Sequence, residues 1–417
     1  MFIENRSRSS KGADIQLIVY YLLLVSIGWL TIYSSASNQI SNESFFSMNN
    51  VYTKQLLFIG TSIVIAFVLL MIDSRLYIHY AMHIYFIALF LMILVVFFGT
   101  EINGAHAWIK IGGFSIQPTE FAKFATALAL AKFFNEGKTS TEKKYLWLNA
   151  FLFILVPIII ILIQKDTGSA LVFLSFIILF YREGLTGWIL LLGTFAAAIS
   201  LFTLYFNEIY SLALLTTMLL ISWVFKRKDK KILLRNVVLY VVSVVFVFMI
   251  NIGYQNILQD HQRMRIDTLI GKVEDPLGAD FNVNQSKIAI GSGGFFGKGY
   301  LNGTQTKLNY VPEQSTDFIF CGIGEEWGFV GSSIVCLLFV ALILRIIILS
   351  EKNRNQFVRC YGYGVAGIIF VHFLINIGMT IGLLPIIGIP LPFISYGGSS
   401  LWAFTILLFS FVKLSDN

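Results

Sequence analysis

The chain has 417 residues, of which 57% are hydrophobic and only 13% are charged, and its formal net charge is +7. Soluble domains carry charge on about a quarter of their residues, so this composition excludes an ordinary soluble protein. No soluble domain remains that could present a basic face, which excludes a nucleic-acid-binding protein.

Apolar runs of about twenty residues, the length that crosses about 30 Å of hydrocarbon, recur along the chain. They predict an all-α polytopic membrane protein with ten to twelve transmembrane helices in a single integral membrane domain. The first run is too long for a signal-peptide core, so we expect it to be an uncleaved span. The predicted spans are 15–35, 56–72, 79–99, 117–134, 147–164, 167–181, 187–206, 209–225, 235–254, 328–349, 361–383 and 393–412.

Basic residues between the spans predict the orientation, because Lys and Arg are enriched in cytoplasmic segments. Lys138, Lys143 and Lys144 follow the fourth span, and a basic cluster at 226–235 follows the eighth. With both groups inside, both termini are cytoplasmic and the segments after the third, fifth and ninth spans lie outside. The positive charge then reflects topology and contact with anionic membrane lipid.

The fourth span opens on the outer side with Gln-Pro-Thr-Glu-Phe-Ala-Lys at 117–123. Glu120 and Lys123 stand three residues apart, share one helix face and can form an ion pair. A pair that only fixes helix register and a pair that lines a functional cavity both fit this spacing. Trp108, just before the span, is either an interfacial anchor or a stacking platform for a sugar.

Asp166 lies in the short turn between the fifth and sixth predicted spans. A single Asp in such a turn can be the N-cap of the next helix. The orientation places it on the same side as Glu120, Lys123 and Asp317. Ionisable groups at membrane depth are costly and usually functional, which favours a shared polar site.

The longest polar segment, 255–315, lies between the ninth and tenth spans, and loops of this length are usually functional or disordered. It contains Arg263 and Arg265, whose planar guanidinium groups suit a phosphate because each can donate two hydrogen bonds at once. It also contains the glycine-rich run 291–299. This run either brings backbone N–H groups to a phosphate or forms tight turns, and it fits no nucleotide-binding motif.

Asp317 follows this loop where the chain runs back into the membrane. Glu325 and Glu326, further along, would be costly against lipid. We therefore expect this stretch to line a cavity and the crossing to start near Gly328. The last span has a proline- and glycine-rich entry that would place Ser395 at the same outer mouth.

Together these side chains predict an active site that opens outward from the bilayer. Two carboxylates and a lysine in a partly desolvated cavity shift one another's proton affinity. This coupling lets one carboxylate act as a general base near neutral pH. A mechanism with Asp317 as base and a cation that steadies a departing phosphate needs these residue types.

Several of these motifs, in their order and spacing, resemble the SEDS family (shape, elongation, division and sporulation proteins). The resemblance runs from about residue 104 to 412. Two pieces, 303–305 and 388–393, are more similar to the elongation branch of the family than to its division branch. The other matching pieces are 117–120 with Lys123, 166–169, 262–303, 312–313 with 316–318, 325–328 and 395–399.

The resemblance implies a peptidoglycan glycosyltransferase in a bacterial cytoplasmic membrane. In this family the GlcNAc 4-hydroxyl of an acceptor attacks MurNAc C1 of the donor lipid II. Undecaprenyl pyrophosphate leaves, and the configuration inverts from α to β. The resemblance implies Asp317 as the essential aspartate and general base, with Glu120, Lys123 and Asp166 lining the cavity. The usual partner of the family is a class B penicillin-binding protein, which supplies the transpeptidase.

The contacts with the substrate are a hypothesis from the residues themselves. Arg263 and Arg265 are expected to contact the pyrophosphate, Trp108 a sugar or lipid, and Ser395 the mouth of the site. Carboxylates that face a pyrophosphate also make Mg²⁺ or Mn²⁺ a candidate cofactor, although the sequence names no metal ligand.

The chain departs from the family pattern in three places. It has Ala107 where the family commonly has Arg, and Ser315 where the family commonly has His. Members of the family usually have ten spans, so the surplus pair is expected within 187–225 as an inserted transmembrane hairpin. A pair of spans preserves the orientation of everything downstream.

Two other functions compete with the enzyme. A transporter that flips lipid II needs polar access from both faces, yet the ionisable groups gather at the outer one, which favours the enzyme. A non-catalytic scaffold of the elongation complex would leave Asp317 replaceable.

Overall fold

The computed structural model describes residues 14–36, 47, 50–102, 104–137, 146–226, 230–256, 260–269, 271–273 and 281–416. Three short strands form an antiparallel sheet in the order β1-β2-β3; they are β1 (Thr100–Ile102), β2 (Ala105–Ile111) and β3 (Phe114–Ile116). The helices are α1 (Ile15–Ala36), α2 (Val51–Met71), α3 (Ser74–Phe98), α4 (Pro118–Gly137), α5 (Leu146–Ile163), α6 (Thr167–Phe173), α7 (Phe176–Arg182), α8 (Gly187–Phe206), α9 (Glu208–Lys226), α10 (Lys230–Asn256), α11 (Asp260–Leu269), α12 (Phe281–Gly293), α13 (Ile319–Lys352), α14 (Gln356–Thr380) and α15 (Gly398–Ser415).

Within the described residues, ten helices are long and apolar enough to cross a membrane, namely α1, α2, α3, α5, α8, α9, α10, α13, α14 and α15. The all-helical polytopic class is confirmed, at the lower end of the predicted number of spans. The segments expected at 117–134 and 167–181 are not among the ten. α4 is long enough but carries Glu120, Lys123 and Lys132, and the other segment is broken into α6 and α7.

The helices fall into two compact units, and the first comprises Met1–Glu183 and Asn282–Asn417. Among its candidate spans, α14 and α15 are the most deeply buried. Both α3 and α14 pack on α4. The contact faces of α4 are rich in fully buried alanines, and small side chains let helices approach closely. α4 and α14 therefore form the centre of this unit.

The second unit, Gly184–Phe281, contains α8 to α11. α8, α9 and α10 pack on one another around a small apolar cluster. Asn251 on α10 donates a hydrogen bond of 2.5 Å to the carboxylate of Glu208, at the start of α9. Tyr254 donates to Asp267 and joins the end of α10 to α11. Residues of the predicted hairpin thus form two helices that are packed within this unit.

α13 is broken at Gly328, whose backbone has φ 66° and ψ −159°. The break removes the helical acceptors of the next two N–H groups. Phe329 N–H donates instead to the carbonyl of Gly294 at 3.0 Å. Val330 N–H donates to the carbonyl of Phe295 at 3.1 Å. The straight apolar part of α13 begins here, where the sequence predicts that the crossing starts.

The glycine-rich run 291–299 also satisfies the two carbonyls that the break leaves without helical donors. Lys298 N–H donates to the carbonyl of Glu325 at 3.0 Å. Gly299 N–H donates to the carbonyl of Glu326 at 2.9 Å. Three glycines of the run have φ between +58° and +94°, which favours glycine. Of the two readings of this run, the geometry fits tight turns, and they bring it against α13.

Candidate active site

Lys123 and Glu120 lie on α4 with side chains that are only 2% and 3% exposed. Lys123 Nζ donates to Glu120 Oε1 at 2.7 Å, as their spacing predicts. His372 Nε2, on α14, lies 2.8 Å from the same Nζ, and the ring of Phe404 lies 5.3 Å from it. Buried charges are tolerated when they are paired and hydrogen-bonded, and this cluster meets that condition for the lysine.

The orientation of His372 follows from its second contact. Its Nδ1 lies 3.0 Å from the carbonyl oxygen of Pro390, which can only accept a hydrogen bond. Nδ1 therefore carries the hydrogen, and Nε2 is the atom that accepts from Lys123. The imidazole thus links the lysine on α4 to the loop that precedes α15.

Asp166 is the N-cap of α6, as one of its two readings predicts. Its carboxylate accepts hydrogen bonds from the Ser169 N–H at 3.0 Å and from the Ser169 hydroxyl at 2.7 Å. Gln117, the residue before α4, donates a third bond of 2.7 Å through Nε2. The side chain is partly exposed, so capping does not seal the carboxylate inside the protein.

Asp317 is the penultimate residue before α13 and is partly exposed. Its backbone carbonyl accepts a hydrogen bond of 2.8 Å from Asn376 Nδ2. Its carboxylate stands beside Gly388, where an added Cβ would lie 3.4 Å from Oδ2. Gly388 is exposed and has φ 77°. Since this neighbour has no side chain, the carboxylate can be approached from that side.

Residues 387–390, here called the 387–390 segment, connect the three predicted sites. Its carbonyl at Ile389 accepts from Asn376 Nδ2 at 2.7 Å, and its next carbonyl accepts from the histidine of the lysine cluster. Its first carbonyl lies against Gly168 in the first turn of α6, where an added Cβ would be 2.9 Å away. The segment therefore borders the lysine cluster, the Asp317 carboxylate and the capped start of α6.

Ser395 is 3% exposed, and its hydroxyl is used inside the protein. It accepts from Leu391 N–H at 2.8 Å and donates to the carbonyl of Thr316 at 2.6 Å. Tyr396 N–H donates to the carbonyl of Ser315 at 2.8 Å, a backbone contact that does not depend on the side chain at 315. These contacts hold the last loop against the residues that precede Asp317.

Glu325 is fully buried, and both of its carboxylate oxygens are saturated. Oε1 accepts from Lys298 Nζ at 2.7 Å and from the N–H groups of Thr304 and Gln305 at 2.8 and 2.9 Å. Oε2 accepts from the N–H and the hydroxyl of Thr306 at 3.0 and 2.8 Å. This carboxylate anchors the loop before Asp317 and leaves no room for a substrate contact.

The predicted substrate-binding residues lie in both units. Trp108 is half-buried on β2, in the first unit. Arg263 and Arg265 are half-buried on α11, in the second unit. Asp275 and Pro276, which the sequence also singles out in this loop, lie outside the described residues.

Sequence reasoning missed His372 and Asn376. Both are almost fully buried on α14, and Thr380 continues the series one turn further. Three polar residues spaced by four in the mostly apolar second half of α14 form a stripe on one face, since such residues lie above one another. That periodicity was the available signal, and it indicates a polar seam inside the first unit.

The family of cell cycle proteins that includes FtsW, RodA and SpoVE matches the chain over residues 15–231 and 231–416. The chain belongs to this family. The peptidoglycan glycosyltransferase MrdB of Escherichia coli K12 is 34% identical over 344 residues, 82% of this chain and 80% of MrdB. The peptidoglycan glycosyltransferase RodA of Treponema pallidum is 33% identical over 95% of this chain and 96% of RodA.

Two solved structures are similar in fold to this chain. A chain of a peptidoglycan synthase complex, studied for how it coordinates polymerization and crosslinking, matches with a TM-score of 0.71 and 28% identity. The match covers 97% of this chain and 98% of that one. The crystal structure of Thermus thermophilus RodA matches with a TM-score of 0.61 at 24% identity over 97% of both chains, which bears on the fold alone. The family assignment agrees with the SEDS resemblance of the sequence.

Proposed function

We propose that this multi-pass membrane protein is a peptidoglycan glycosyltransferase that polymerises lipid II into glycan strands. The observation that carries the proposal is the position of Asp317, a partly exposed residue whose carboxylate stands beside Gly388. Its backbone is hydrogen-bonded to the same face of α14 that holds Lys123 through His372. The names of the relatives from E. coli and T. pallidum support the same reaction.

In the proposed reaction Asp317 accepts the proton of the acceptor's GlcNAc 4-hydroxyl. The oxygen forms a bond to MurNAc C1 as the bond from C1 to the pyrophosphate oxygen breaks, and the configuration inverts. Undecaprenyl pyrophosphate leaves with the bonding electron pair. A carboxylate can accept this proton when it lies within hydrogen-bond reach of the hydroxyl group.

The other predicted residues have supporting roles in this proposal. Lys123, paired with Glu120, supplies the positive charge that favours a departing pyrophosphate, because fixed charges act strongly where water is excluded. Asp166, as the N-cap of α6, holds the first turn of α6 in place beside the 387–390 segment. Arg263 and Arg265 contact the pyrophosphate, and Trp108 contacts a sugar or lipid.

A divalent cation stays a prediction. Among the described residues, no three His, Cys, Asp or Glu side chains are grouped as ligands of one metal ion. Mg²⁺ or Mn²⁺ would therefore be held mainly by the pyrophosphate of the substrate. Polymerisation after EDTA treatment, with and without each ion added back, measures this requirement.

We assign the activity to cell elongation, with both termini in the cytoplasm and a class B penicillin-binding protein as partner. The similarity to RodA and MrdB supports elongation, although relatives in sporulation and division are about as similar, at 30% identity. The match to a chain of a solved peptidoglycan synthase complex supports a partner.

The test is polymerisation of fluorescent lipid II by the purified full chain, alone and with the penicillin-binding partner. Asp317→Asn keeps size and removes the base, so we expect long glycan products from wild type and none from this variant. Glu136→Gln is the control, because Glu136 is an exposed carboxylate at the opposite end of α4 from Glu120. Polymer from Asp317→Asn would overturn the assignment of the base. Movement of lipid II across liposomes without any polymer would establish the flippase instead.

A further inference from the structure

We propose that His372 and Asn376, on one face of α14, are positioning residues. They hold the Lys123 ammonium and the Asp317 backbone at a fixed distance from each other. This inference rests on the proposed glycosyltransferase function. Neither side chain needs to touch substrate, since each acts through a residue of the site.

The separation is set by the geometry of the helix. His372 and Asn376 are four residues apart, so they lie on one face of α14 and about 6 Å apart along its axis. His372 holds the Lys123 ammonium at 2.8 Å through Nε2. Asn376 holds the backbone of Asp317 at 2.8 Å through Nδ2. A rigid buried helix thus carries one contact to each end of the site.

Each of the two side chains makes a second contact, and both second contacts end on the 387–390 segment. His372 Nδ1 donates to the carbonyl of Pro390 at 3.0 Å, and Asn376 Nδ2 donates to the carbonyl of Ile389 at 2.7 Å. Both hydrogens of the Asn376 amide are therefore used on carbonyl oxygens. Reversing the amide would set oxygen against oxygen, so its orientation is fixed.

Apolar substitutions at positions 372 and 376 distinguish a positioning role from ordinary packing. An apolar residue at either position would fill the same buried space on α14. At position 372 it would remove the imidazole acceptor and leave the Lys123 ammonium hydrogen-bonded to Glu120. At position 376 it would release the carbonyl of Asp317. Displacing a base or a cation by about 1 Å can slow a reaction by about a hundredfold while substrate binding is retained.

The experiment compares kcat and KM for lipid II polymerisation in four variants of the full chain. We expect His372→Leu and Asn376→Leu to lower kcat at least tenfold with KM within twofold of wild type. His372→Gln should recover most of the loss, because its amide can accept from Lys123 and donate to the carbonyl of Pro390. Thr380→Val is the matched control, since Thr380 is equally buried on the same stripe but donates only to its own helix. It should keep wild-type kcat.

A readout that needs no activity is amide hydrogen exchange over residues 313–318. The N–H groups of Thr316 and Phe318 both donate to the carbonyl of Glu313 next to the contact that Asn376 makes. Exchange there should rise in Asn376→Leu and stay unchanged in Thr380→Val.

The outcomes separate this inference from the proposed function. Wild-type kcat in both leucine variants would overturn the positioning roles while leaving the enzyme intact. So would equal losses in His372→Gln and His372→Leu, or a change confined to KM. A wild-type chain that makes no polymer would contradict the proposed function. The hydrogen-exchange measurement would still decide whether Asn376 holds the Asp317 backbone.

Discussion

Glu325→Gln should release the loop that leads to Asp317. Glu325 is fully buried and accepts six hydrogen bonds, from Lys298, Thr304, Gln305 and Thr306. Three of the donors are consecutive backbone N–H groups. Glutamine has almost the same shape, so the substitution changes charge and acceptor number but not volume.

The expected loss of local stability follows from the hydrogen bonds that a glutamine side chain cannot accept. If its carbonyl oxygen takes the place of Oε1, its NH₂ group faces the N–H and hydroxyl of Thr306. An unsatisfied buried N–H costs about 1–3 kcal/mol. Removing one partner of a buried ion pair costs about 3–5 kcal/mol, but Lys298 is 25% exposed and recovers some solvation. We take about 3 kcal/mol, which makes local opening about a hundredfold more frequent.

The assay is hydrogen exchange at the amides of residues 304–306, which report opening directly. The amides of Lys298 and Gly299 are an internal reference, because they donate to backbone carbonyls of α13 that the substitution retains. Glu313→Gln removes an exposed carboxylate from the same loop and should change neither set. The reasoning is refuted if the 304–306 amides in Glu325→Gln exchange no faster than in Glu313→Gln.

Three further predictions concern stability. Gly297→Ala should destabilise the first unit by about 1–3 kcal/mol in thermal unfolding, because Gly297 has φ 81° and its Cβ would collide with the Glu326 carbonyl; an unchanged melting temperature contradicts this. Lys123→Met should cost about 3–5 kcal/mol by leaving Glu120 buried without its cation. Adding Glu120→Gln should restore most of that stability, and additive losses in this double-mutant cycle would mean that the pair is not coupled. Ser395→Ala should cost about 1–3 kcal/mol, because the buried Leu391 N–H loses the hydroxyl to which it donates. Hydrogen exchange at the Leu391 amide should become faster, and unaltered exchange there would contradict a stabilising role for this hydrogen bond.

Much of the fold and part of the candidate site could be predicted from the sequence, because their signals are local. Apolar runs record the thickness of the bilayer, and the all-helical class follows from them. The spacing of Glu120 and Lys123 predicted an ion pair, since neighbours three apart on a helix face each other. The order of short motifs was enough to predict the family.

For other features, the local sequence signals left two alternatives, and only the structure decides between them. Asp166 could be a cap or a site residue, and only the structure shows that its carboxylate caps α6 while staying partly exposed. The glycine run could form turns or contact a phosphate, and its N–H groups at Lys298 and Gly299 are used on the broken helix. Hydropathy alone also placed one span at 167–181, where the chain forms two short helices.

The sequence by itself determined the class of protein, its family and the residues at the ends of the predicted spans. Only the tertiary structure decided which of these residues meet. Lys123 and His372 are 249 positions apart, and Asp317 and Asn376 are 59 apart. Contacts over such distances depend on how helices pack, and hydropathy and motif spacing do not encode that packing. For the same reason the role of the 387–390 segment, which carries no ionisable side chain, became visible only in the folded chain.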